Sequence, residues 1–127
     1  MQKLFFLLLL LGGISCSHLE AQSLAVSPDD FEKMLQSDKS VQLVDVRTPA
    51  EFAKGHIEGA VNHNFYDADF AQKMGRLDKK RPVMVYCAVG GRSASASEQL
   101  KKLGFEKVFD LAGGMGAWNK AGKKVVK

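Results

Sequence analysis

An α/β fold, a mostly parallel central sheet with helices on both faces, is what three observations in this sequence predict. First, short β-branched or aromatic runs at residues 41–46, 83–86 and 107–111 alternate with stretches of helical periodicity, the pattern of strand–helix–strand units. Second, Val83-Met84-Val85-Tyr86 is apolar throughout, as a strand covered on both sides has to be. Third, 127 residues at 46% hydrophobic content, with no internal repeat, low-complexity tract or linker, give room for one core.

The first segment stands apart from that core. Lys3 supplies a positive start, Leu4 to Leu11 an uninterrupted apolar run, and Gly12-Gly13-Ile14-Ser15 leads to Cys16. This is the pattern of an export signal, too short and wrongly flanked for a membrane span. Two cleavages fit. One comes after Ala21 and leaves residues 22–127 as the domain. The other is of lipoprotein type, removing residues 1–15 and leaving a lipid on Cys16 as the chain's link to a membrane. Either places the protein outside the cytoplasm, in the periplasm or cell envelope. Either also leaves Cys87 as the single mature thiol, so no intramolecular disulfide can form and the cysteine is a candidate reactive group.

After a short polar joint, Ser27 is a good helix cap, Pro28 suits the first helical position, and Asp29 and Asp30 suit the positive helix end. Phe31, Met34 and Leu35 share an apolar face, and residues 37–40 break the helix. Residues 41–46 form the first core strand, ending in the charged pair Asp45 and Arg47, read here as holding the next loop in place. Thr48-Pro49-Ala50-Glu51 is a capping box, so a short helix runs over residues 49–54 and Gly55 ends it. Residues 56–62 give a turn and a short strand, with His56 a hydrogen-bonded structural residue. Residues 65–77 carry a third helical pattern with Phe70, Met74 and Leu77 inward, and Lys79-Lys80-Arg81 turn into the central strand. Beyond it, residues 107–111 are one more strand. Gly113-Gly114 makes a tight turn into a last helix, and Trp118 anchors the core.

The chemistry concentrates at Cys87-Ala88-Val89-Gly90-Gly91-Arg92-Ser93. Cys87 ends the central strand, and from Ser93 onward a helix is expected with Ala94, Ser97 and Leu100 at helical spacing, stopped by Gly104. The carboxyl end of a strand beside a helix start is where α/β sheets place ligands and where anions are favoured. Gly90 and Gly91 allow the backbone N–H groups to turn inward as an anion-binding nest. A thiol there should ionise more readily than usual, helped by those donors, the helix end and the Arg92 charge.

Four blocks in order resemble the successive signatures of single-domain rhodaneses: residues 45–52 (Asp-Val-Arg-Thr-Pro-Ala-Glu-Phe), 55–60 (Gly-His-Ile-Glu-Gly-Ala), 86–93 (Tyr-Cys-Ala-Val-Gly-Gly-Arg-Ser) and 111–118, which opens Leu-Ala-Gly-Gly-Met and closes on Trp118. The resemblance spans roughly residues 27–121. It implies a rhodanese-like α/β fold and sulfurtransferase chemistry. Cys87 would take a sulfane sulfur from a donor such as thiosulfate, hold it as a persulfide, and pass it to cyanide or a thiol. Arg92 would neutralise and position the donor, while the backbone of Ala88, Val89, Gly90, Gly91 and Ser93 would hold the terminal sulfur.

Such a relay needs an ionised nucleophile and no separate general base. No cofactor is implied, and one mature cysteine with separated histidines suggests no metal site. The net charge of +4 reads as a solvated basic face, since no aromatic stacking platform accompanies it to suggest nucleic acid. Two other classes share the motif. Tyrosine-phosphatase and arsenate-reductase loops are related, but the phosphatase loop has five residues between cysteine and arginine where this chain has four, a ring better sized for sulfur than for phosphate. A non-enzymatic sulfur carrier would use the same loop. Oligomeric state has no sequence signature here.

Overall fold

The computed structural model describes residues 22–127; the expected export signal and Cys16 lie outside them. Among the described residues the strands are β1 (Gln22–Val26), β2 (Gln42–Asp45), β3 (Val61–Asn62), β4 (Val83–Tyr86) and β5 (Lys107–Leu111). They form one sheet in the order β1-β5-β4-β2-β3, with every pairing parallel. The helices are α1 (Pro28–Ser37), α2 (Pro49–Lys54), α3 (Phe70–Gly75), α4 (Gly91–Lys102) and α5 (Gly114–Lys120). The α/β class with a parallel sheet covered on both faces is therefore the observed one.

The central strand shows why. All four residues of β4 are buried, and they alternate between two cores. Val83 and Val85 join Val44, Phe70, Met74 and Leu100 beneath α3 and α4. Met84 and Tyr86 join Phe31, Met115 and Trp118 beneath α1 and α5. Each such side chain contributes roughly 1.5–3 kcal/mol by leaving water, so the two apolar layers fix the register of the strand between them. Asp45 lies opposite Tyr86, and Val85 opposite Asp110. The segments after β2, β4 and β5 thus leave the sheet at one edge.

Two local structures differ from the sequence reading. The joint before α1 is strand β1, paired along its length with β5. Leu24 is half exposed and Val26 only partly buried, so this edge strand has little apolar signal of its own and is held by the backbone ladder. The third helix is limited to Phe70–Gly75. Its expected first turn is occupied by a turn in which the Asn64 side chain accepts from Tyr66 N–H at 3.0 Å and the Asn64 carbonyl from Asp67 N–H at 3.1 Å. Asparagine offers the backbone this alternative to helix. Phe65 still packs edge-on against Phe70, at 5.3 Å between ring centres.

The caps are as the sequence implies. Ser27 accepts from Asp30 N–H, and Thr48 and Glu51 form the capping box of α2. Trp118 is buried, lies edge-on to Phe31 and donates to the Lys124 carbonyl at 2.9 Å. The basic face is not purely solvated: Lys123 bridges Asp29 at 2.7 Å and Glu32 at 3.0 Å, tying the segment after α5 to α1.

Candidate active site

Cys87 comes directly after β4 and is 1% exposed. The loop after it curls so that Gly90 donates its N–H to the Cys87 Sγ at 3.0 Å. That curl requires φ of +118° at Gly90, a left-handed value disfavoured for any side-chain-bearing residue. Gly91 has no such conformation and simply opens α4. Ser93, fully buried on the inner face of α4, places its Oγ 3.3 Å from Sγ and 3.2 Å from the Gly90 carbonyl. An ionised sulfur can only accept, so the hydroxyl then donates to it. Burial pushes the Cys87 thiol up, and the Ser93 hydroxyl with the backbone N–H groups of Ser93, Gly90 and Val89 pulls it down. The donors prevail and leave the pKa below its ordinary value. Behind Ser93 the buried Asp110 carboxyl is raised by burial, a shift opposed by Ser93.

The inner face of α4 is Ser93, Ala96, Ser97 and Leu100, so Ser97 and Leu100 lie inward as their spacing implies, while Ala94 is exposed and Ser93 takes the inward place beside the sulfur.

A second glycine turn supports the loop from behind. Met115 N–H donates to the Cys87 carbonyl at 2.9 Å, and Gly116 N–H to the Ala88 carbonyl at 3.0 Å. Gly114 lies between, at φ of +57°, and a Cβ there would stand 2.7 Å from the Ala88 carbonyl carbon. Gly113-Gly114, a simple turn by sequence, is also the seat of the cysteine loop.

Arg92 points away from a free role. Its two terminal nitrogens donate to Glu51 Oε1 at 2.8 Å and Oε2 at 3.0 Å, and its guanidinium carbon lies 5.6 Å from the centre of the Tyr66 ring. Glu51 Oε1 also accepts from the Thr48 hydroxyl at 3.1 Å. Arg92 above all holds the Glu51 carboxyl down, to about 2. Glu51, expected only as part of the capping box of α2, therefore also reaches across to the cysteine loop. The main favourable influences on the Cys87 thiol are hydrogen-bond donors, and the Arg92 charge, although paired with Glu51, is also coupled to the Cys87 thiolate.

Asp45 and Arg47 form a separate, buried clamp. Arg47 Nη2 lies 2.7 Å from Asp45 Oδ2 and 2.7 Å from the Gly55 carbonyl, so the end of β2 is tied to the end of α2. His56 stacks on Phe52 at 3.7 Å and its Nδ1 lies 3.0 Å from the Phe52 carbonyl, a packed residue remote in role from the thiol.

The model of the rhodanese-like domain matches residues 27–121. The chain belongs to the rhodanese-like family. Among its relatives, the thiosulfate sulfurtransferase GlpE of Shewanella oneidensis is 42% identical over 83 residues, covering 65% of this chain and 80% of that protein. A sulfurtransferase of Allochromatium vinosum is 34% identical over 101 residues, or 80% of this chain and 92% of that one. Among solved structures, a rhodanese-related protein of Thermoplasma volcanium superposes with a TM-score of 0.71 at 29% identity, covering 80% of this chain and 96% of that one. This rhodanese-like domain thus has sulfurtransferases as relatives, in keeping with the resemblance seen in the four sequence blocks.

The Val89, Gly90 and Ser93 backbone and the Ser93 hydroxyl converge on the Cys87 sulfur, while the Val89 side chain points outward and is 79% exposed. Glu51, Tyr66 and Gly114 are the neighbours of this loop that sequence reasoning does not reach. Only Glu51 carries a usable signal, an acidic residue that the capping box alone does not need to be ionised.

Proposed function

We propose that Cys87 is the nucleophile of a sulfurtransferase that moves a sulfane sulfur from a donor such as thiosulfate to a thiophilic acceptor such as cyanide or a thiol. The observation that carries the reading is the Cys87 sulfur held by the Gly90 N–H and facing the Ser93 hydroxyl at the end of β4. These donors favour an anionic sulfur, and the same nest suits the persulfide that replaces it. With thiosulfate, the Cys87 thiolate forms a bond to the outer sulfur while the bond to the sulfonate sulfur breaks, and sulfite leaves with that electron pair. Attack by the acceptor on the outer sulfur then returns the thiolate and yields thiocyanate or a new persulfide. Arg92, Ala88, Val89 and Gly91 form the surround of this step. A sulfur-carrier role uses the same first half-reaction; it is favoured by likeness to a putative sulfur carrier protein, YrkF of Bacillus subtilis, 30% identical over 107 residues and 57% covered.

The export pattern adds a location outside the cytoplasm, with the mature chain starting at Gln22 or at a lipid-bearing Cys16. Intact-mass measurement of protein from a bacterial envelope, before and after thiosulfate, tests both parts. A mass gain of one sulfur, lost in Cys87→Ser and discharged by cyanide, is expected. A chain still beginning at Met1 would refute export, and an unchanged mass with every donor would refute the enzyme.

A further inference from the structure

The cation of the loop is already spoken for. Both terminal nitrogens of Arg92 lie on the Glu51 carboxylate, at 2.8 and 3.0 Å, and one face of the guanidinium lies toward Tyr66. Glu51 is in turn fixed by the Thr48 hydroxyl at 3.1 Å and by its place in the first turn of α2. A thiolate at Cys87 together with Arg92 and Glu51 therefore leaves one net negative charge among the three groups, and a dianionic donor would add two more. The sulfur itself is nearly covered, so a donor has to bring a slim terminal sulfur rather than a broad charged head.

We infer that Glu51 is a specificity-determining positioning residue: by neutralising Arg92 it biases this site against dianionic donors and toward hydropersulfides of uncharged thiols. The inference rests on the sulfurtransferase reading above. The step balances in charge and atoms. The Cys87 thiolate bonds to the terminal sulfur of R–S–SH, the donor's S–S bond breaks, R–S⁻ leaves with the electron pair, and the proton stays on the transferred sulfur as Cys87–S–SH.

The test compares persulfide formation on the mature protein by intact mass, in single turnover, with thiosulfate and with the hydropersulfide of 2-mercaptoethanol. Each rate is divided by that of free cysteine with the same donor. In the wild-type protein the normalised rate should favour the hydropersulfide by about tenfold or more, from one uncompensated charge near a dianion. Glu51→Gln keeps an oxygen for Thr48 and Arg92 but frees the cation. It should move the thiosulfate-to-hydropersulfide ratio at least tenfold toward thiosulfate, a change that simple loosening of the loop would not produce. A wild-type preference for thiosulfate, or a ratio unmoved in a folded Glu51→Gln protein, overturns the inference and leaves the sulfurtransferase reading standing. If Glu51→Gln fails to fold, the wild-type comparison alone decides. No adduct from either donor overturns both.

Discussion

Ser93→Ala removes one hydroxyl that serves both the Cys87 sulfur and the buried Asp110 carboxyl. The side chain is fully buried and alanine is smaller, so nothing is overpacked, and the Ser93 carbonyl still receives the Ser97 hydroxyl at 2.8 Å. The support of an ionised Cys87 is lost instead. A hydrogen bond to a charged group is worth roughly 1.5–3 kcal/mol. Here the value is reduced, because in the thiol state the same hydroxyl donates to the Gly90 carbonyl 3.2 Å away instead. A differential of about 1.4 kcal/mol corresponds to about one pKa unit, so the Cys87 thiol should titrate about one unit higher in the variant. The kinetic consequence changes sign with pH. Well below the pKa the thiolate fraction falls about tenfold, while the more basic thiolate is about threefold more nucleophilic, for a net slowing of about threefold. Above both pKa values the variant should react about threefold faster. The assay is the rate of alkylation by iodoacetamide across the pH range, monitored by intact mass. A uniform change in rate with an unmoved midpoint would refute the assignment of Ser93 as a donor to the sulfur.

The same geometry fixes three further outcomes. Gly114→Ala puts a methyl group 2.7 Å from the Ala88 carbonyl carbon at a backbone φ of +57°; it should destabilise the protein by about 1–3 kcal/mol and slow sulfur loading, as denaturation midpoints and intact mass would reveal. Arg47→Ala strands the buried Asp45 carboxylate and should cost about 3–5 kcal/mol of stability in urea titrations, while the Cys87 midpoint in any folded fraction stays where it was. The Glu51 carboxyl is held near 2 against an ordinary 4.5, so its contribution to stability is fully present above about pH 4.5 and fades as pH falls toward 2; melting temperatures of wild type and Glu51→Gln should converge over that interval, and parallel curves would contradict the pairing.

Features that neighbouring residues decide among themselves are legible in the sequence. Ser27 and Thr48 cap helices through atoms three residues away, and β4 declares its burial by four apolar side chains in a row. The cysteine loop is likewise local: the sulfur, the Gly90 N–H and the Ser93 hydroxyl lie within seven residues, which is why its position and the lowered thiol pKa are both legible. The partners that tune the loop come from elsewhere in the chain. Glu51 and Arg92 are 41 residues apart in sequence and meet because β2 and β4 are neighbours in register, so that the segments leaving these two strands emerge at the same edge of the sheet. Gly114 meets Ala88 for the same reason, through β4 and β5. Strand β1 is invisible for a related cause, since a ladder to β5 asks for backbone groups and not for particular side chains. A charge that a motif supplies is therefore shared with a group the motif does not contain. Whether Arg92 acts as a free cation depends on a carboxylate that only the strand order brings to it, and on the proposal above that meeting point, rather than the motif alone, would set donor preference.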